Sequence, residues 1–91
     1  EPDNPTYLET FGWILYRQGK PLEAKPFFKH AMLYGGKDSA VILDHYAEVL
    51  YALEEYDLAS VYWNQAMSRN EDKVEGLEQK IKERKAAMKK K

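Results

Sequence analysis

Apolar residues recur along the chain at steps of three and four, the spacing that gathers them on one side of a helix. Leu8, Phe11 and Leu15 form the first such row, with Ile14 beside it. Asn4-Pro5 precedes the row as an N-cap followed by proline at the first helical position, where its missing N–H costs nothing. Gly19 follows it and tolerates the left-handed conformation of a helix stop. The first predicted helix therefore spans about 5–18. A second begins near Pro21, carries Ala24, Phe27, Phe28, Ala31 and Met32, and ends at Gly35-Gly36. Pro26 lies inside it, removes one backbone bond and crowds the carbonyl of Leu22, so a kink or a later start is expected. Ser39 caps a third helix, about 40–53, with Leu43, Tyr46, Ala47, Val49 and Leu50. A fourth, about 57–69, carries Leu58, Ala59, Tyr62, Trp63, Ala66 and Met67. A fifth, about 72–88, has a thinner stripe of Val74, Leu77, Ile81 and Met88. No alternating run bounded by turn residues reads as a strand, so the expected fold is all-α.

The first four helices contain an internal repeat. Residues 5–35 slide onto 40–70 with a shift of 35, matching Leu8 to Leu43, Leu15 to Leu50, Tyr16 to Tyr51, Ala24 to Ala59, Ala31 to Ala66 and Met32 to Met67. Near matches pair Phe11 with Tyr46, Gly12 with Ala47, Ile14 with Val49, Phe27 with Tyr62 and Phe28 with Trp63. Small residues fall on small and large on large, as two stacked copies of one helical hairpin require. Gly12 and Ala47 leave room for a close helix crossing, while Phe28 and Trp63 fill the gap between hairpins.

These positions resemble the tetratricopeptide repeat family. The first unit reads Leu8-x2-Phe11-Gly12-x2-Leu15 and then Ala24-x3-Phe28-x2-Ala31; the second reads Leu43-x2-Tyr46-Ala47-x2-Leu50 and then Ala59-x3-Trp63-x2-Ala66. The closing proline of the family pattern is missing from both units, and the extra residue in the spacing falls near Gly35-Gly36-Lys37. The resemblance implies an α-solenoid of two antiparallel hairpins, over 5–36 and 40–70, in a single domain closed by a capping helix at 72–88. It further implies a concave groove lined by the first helix of each hairpin, which takes up a peptide or protein segment. The chain starts at Glu1 rather than Met and reads as a fragment of something longer. Tyr7, Phe11 and Ile14 have no upstream neighbour in it, which suggests missing repeats or self-association through that face.

Composition narrows the reading without redirecting it. An apolar share of 44% is too high for a disordered chain, and no run of apolar residues approaches membrane-spanning length. Cysteine is absent, which removes disulfides and thiolate chemistry and leaves the compartment unreadable. The net charge of −1 disfavours nucleic acid as a whole-surface partner. Residues 1–70 carry six bases and ten acids; residues 71–91 carry eight bases and five acids and end in Lys89-Lys90-Lys91. That end reads as a polar cap, with weak electrostatic binding as an alternative.

Nothing in the sequence signals catalysis. His30 and His45 have no second ligand at metal spacing, no phosphate-binding loop is present, and no catalytic residue, cofactor, metal or small-molecule substrate is expected. Helical spacing places Thr6, Glu9, Thr10, Trp13, Tyr16 and Arg17 on the groove side of the first hairpin, and Val41, Asp44, His45, Glu48 and Tyr51 on that of the second. Aromatics beside charges suit partner binding, since they bury large area with few rotors to freeze. Glu9, Asp44 and Glu48 outnumber Arg17, so the expected ligand is apolar or basic rather than a free carboxylate. The alternative is a structural C-terminal cap of a longer array, with no ligand of its own.

Overall fold

The computed structural model describes residues 4–69 and 76–89, and among these every regular element is helical. The helices are α1 (Pro5–Arg17), α2 (Pro21–Leu33), α3 (Ala40–Ala52), α4 (Tyr56–Ser68) and α5 (Leu77–Lys89), with a short 3-10 turn at Gly36–Asp38. Local chemistry sets their starts. The Asn4 side-chain oxygen accepts from the Thr6 and Tyr7 amides at 2.9 and 3.2 Å. Ser39 Oγ accepts from the Ile42 amide at 3.2 Å. Each cap satisfies donors that a first helical turn leaves without partners.

α1 packs along α2, and α3 along α4, as two helical hairpins. Their turns are the same structure built twice. The Gly19 amide donates to the Tyr16 carbonyl at 3.0 Å and the Lys20 amide to the Leu15 carbonyl at 2.9 Å. In the second hairpin, Glu54 donates to Tyr51 at 3.0 Å and Glu55 to Leu50 at 2.9 Å. Both turns need a left-handed residue, supplied by Gly19 at φ +80° and by Glu54 at φ +62°.

The second hairpin packs on the first through α3, which meets both α1 and α2, and α5 packs on α4. Phe28 and Trp63 lie fully buried, as do Ala24, Ala31, Ala59 and Ala66. Gly12 abuts the Phe28 ring: a Cβ there would come within 2.8 Å of it. Phe28 stacks on Tyr46 and Tyr46 meets Tyr62, so aromatic rings run from the first hairpin into the second. At the outer side of α1, Tyr7, Phe11 and Ile14 are each about half exposed (54, 49 and 51%). Their counterparts in the repeat, Ile42, Tyr46 and Val49, are buried against the first hairpin.

Two expectations need correction. α2 begins at Pro21, not later, and continues through Pro26. Pro26 and Leu22 are both exposed, so water reaches the region of the carbonyl that loses its amide partner. As expected, α2 stops at the glycine pair: it ends at Leu33, Gly35 is left-handed at φ +101°, and the short 3-10 turn leads to α3. The fifth helix does not run through Gly76, which adopts φ +78° in a turn directly before Leu77. Val74 and the expected start at 72 lie outside the described residues, as do Lys90 and Lys91. Among the described residues, no helix is long and apolar enough to cross a membrane.

Candidate functional site

The sequence-selected residues converge on one band across α1, α3 and α5. Glu9 on α1 pairs with Nδ1 of His45 on α3. Asp44 Oδ2 accepts from Lys80 Nζ at 2.9 Å, and Glu48 accepts from Arg84 Nε at 2.8 Å and from Nη2 at 3.4 Å. Each of these three contacts joins residues 36 positions apart, close to the repeat shift. α3 thus presents an imidazole to α1 and two carboxylates to α5.

The carboxylates sit deep and their cations lie nearer the surface. Glu9, Asp44 and Glu48 are 8, 6 and 5% exposed, whereas the Lys80 and Arg84 side chains are 33 and 40% exposed. Asp44 also accepts from Trp63 Nε1 at 2.9 Å, tying the core aromatic of α4 into the band. Tyr16 hydrogen-bonds Glu48. Its phenol is pushed above the ordinary value by burial first and the Glu48 charge second, with Arg84 opposing. Hydrogen bonding to Glu48 holds the Arg84 guanidinium above its ordinary value. No buried side-chain nitrogen or oxygen among the described residues lacks a hydrogen-bond partner, as burial of this much charge demands.

Aromatic rings pack around these pairs. The Trp13 ring stacks on His45 at 3.8 Å between centroids and on Tyr16 at 4.7 Å. Tyr51 contacts Tyr56 and Trp63, and Arg84 lies over its ring at 5.3 Å. Trp13, Tyr16 and Tyr51 are half-buried and pack against the core. Arg17, Thr6, Thr10 and Val41 are exposed at the edges, and Thr10 Oγ1 donates to the Thr6 carbonyl at 2.9 Å.

The band differs from the sequence expectation in one respect that matters chemically. Glu9, Asp44 and Glu48 do not stand open to a ligand: His45 hydrogen-bonds Glu9, and Lys80 and Arg84 pair with Asp44 and Glu48. Lys80 and Arg84 were expected only as solvated charges of a polar cap. A signal for them exists: a Lys and an Arg four residues apart, 36 residues beyond an Asp and a Glu four apart. Among the described residues, no group of three or more His, Cys, Asp or Glu is arranged to hold a metal ion. No protein-family model, curated protein or solved structure matches this chain.

Proposed function

We propose that the chain is a tetratricopeptide-like solenoid unit that works by protein–protein recognition, as a scaffold or adaptor without a catalytic step. The concave side formed by α1 and α3, the first helices of the two hairpins, takes up a peptide or protein segment. The observation that carries this reading is the half-buried aromatic band of Trp13, Tyr16 and Tyr51, anchored by paired charges. Rigid rings already held by His45 and Arg84 lose little freedom when a partner covers them. Panning a displayed peptide library on the whole chain tests this. Enriched peptides should bind at least ten-fold more weakly to a Trp13→Ala/Tyr51→Ala variant whose helical content is unchanged. Absence of any enriched peptide, or equal affinity for the variant, would refute the reading.

A second reading has its own observation. Tyr7, Phe11 and Ile14 are exposed where their repeat counterparts are buried, so the outer side of α1 suits cover by another hairpin of the same kind. The unit would then be the C-terminal cap of a longer array. A Phe11→Glu change that abolishes association with a hairpin placed against α1, in a chain for which no peptide is enriched, would favour it.

A further inference from the structure

α5 is attached to α3 through one short pattern. Asp44 and Glu48 stand one helical turn apart, and Lys80 and Arg84 meet them in register, also one turn apart. Lys80 reaches toward Glu48 as well, at 3.9 Å. Leu77 and Ile81 are the buried apolar residues of α5. Its docking sequence is therefore Leu77-x2-Lys80-Ile81-x2-Arg84, an amphipathic basic helix, and Glu78, Gln79, Lys82 and Glu83 between these positions are exposed. A helix held by so few buried side chains, with its cations a third or more in water, opens more readily than α3, which is buried along most of its length. Opening would take the cations away from Asp44 and Glu48 and uncover both carboxylates to water. A helix that docks in place of α5 buries them again, and that burial is costly unless it brings cations in the same register.

We propose that α5 is an internal stand-in for the partner. The α3–α4 face selects a basic amphipathic helix with the same apolar-x2-Lys-apolar-x2-Arg pattern, which takes the place of α5 on Asp44 and Glu48. This rests on the peptide-recognition reading and narrows it to one partner chemistry. A neutral helix would leave the carboxylates bare, and an acidic one would meet repulsion. Affinity for the partner is lowered by the fraction of molecules in which α5 is docked.

The test uses a labelled peptide with the sequence of residues 76–89, added to the intact 91-residue chain. A Lys80→Gln/Arg84→Gln chain should bind it at least ten-fold more tightly than the parent chain. The same peptide carrying Lys80→Glu and Arg84→Glu should not bind. Ser60 Oγ and Met88 Sδ lie 4.0 Å apart and the chain contains no cysteine, so Ser60→Cys with Met88→Cys, bridged by a short linker joined to each thiol through a disulfide, offers a reducible lock on α5. The oxidised lock should abolish peptide binding and reduction should restore it. If Lys80→Gln/Arg84→Gln fails to fold, the lock decides alone. Peptide binding to the oxidised lock, or binding of the Glu-bearing peptide, would overturn the stand-in role. Library-selected peptides that bind the oxidised lock through Trp13 would overturn displacement while leaving aromatic recognition standing. If no peptide binds any form, both readings fall.

Discussion

Positions 19 and 54 perform the same task with different residues, and the difference has a free-energy sign. Each ends the first helix of a hairpin in a left-handed conformation, at φ +80° for Gly19 and +62° for Glu54. A side chain in that region crowds its own backbone, whereas glycine does not. Glu54→Gly should raise stability by about 0.5–1 kcal/mol, the relief of strain outweighing the extra freedom of the unfolded chain. Gly19→Ala should lower it by about 1 kcal/mol through φ alone, since no atom lies within 4 Å of the added Cβ. Urea unfolding of both variants measures the two values. Tyr46 gives a pH signature at the same scale. Its phenol is pushed up to about 12, by burial first and then by the charges of Tyr62 and Glu55. An unfolded tyrosine ionises near 10.0, so between these values the native state keeps a proton that the unfolded state has lost. The contribution is full below pH 10 and is lost as pH rises toward 12, by roughly 2 kcal/mol for this one group. Tyr46→Phe should flatten the fall of unfolding free energy over that window. An unchanged slope in the variant would show that the proton sits elsewhere.

The elements show where sequence carries structure locally and where it does not. The first four helices begin and end within a residue or two of the sequence reading, because Asn4, Ser39 and Gly19 act through bonds to their immediate neighbours. α5 carries no such cap signal, its apolar stripe is sparse, and the helical pattern runs on across Gly76, whose φ of +78° ends it there. Its role was harder to read than its existence. Lys80 and Arg84 look like any solvated charges until α3 supplies Asp44 and Glu48 opposite them. This predicts an asymmetry in how α5 is held. Asp44→Ala removes the acceptor of both Trp63 Nε1 and Lys80 Nζ, leaving a buried indole N–H with no partner. It should cost about 2–3 kcal/mol. Asp44→Asn keeps an oxygen for Trp63 and should cost about half as much. Thermal and urea unfolding of both variants checks the ratio. Equal costs would mean that the charge on Asp44, rather than its hydrogen bond to the core, anchors the band.

At the scale of the whole molecule, two copies of one hairpin share a core that neither can close alone, and α5 covers part of what remains. Matching sizes at a shift of 35 made that duplication visible in the sequence, along with the face carrying Glu9, Trp13, Asp44 and Glu48. Lys80 and Arg84 stay hidden because they belong to a helix outside the repeat. The arrangement makes stability uneven along the chain, since each unit depends on its neighbours. α3 is covered by α1, α2 and α4 and carries a continuous row of buried residues. α5 rests on Leu77, Ile81 and ion pairs whose cations remain partly in water. Native-state hydrogen exchange should therefore find the α3 amides opening only with global unfolding, while α5 opens in a separate step at lower free energy. Raising the salt to about 1 M, where charges are screened beyond roughly 3 Å, should lower the opening free energy of α5 by about 1 kcal/mol relative to that of α3. Were α5 to exchange together with α3 at both salt concentrations, the ion pairs would be ornaments on a single cooperative core. No open state would then be populated for a partner helix to capture.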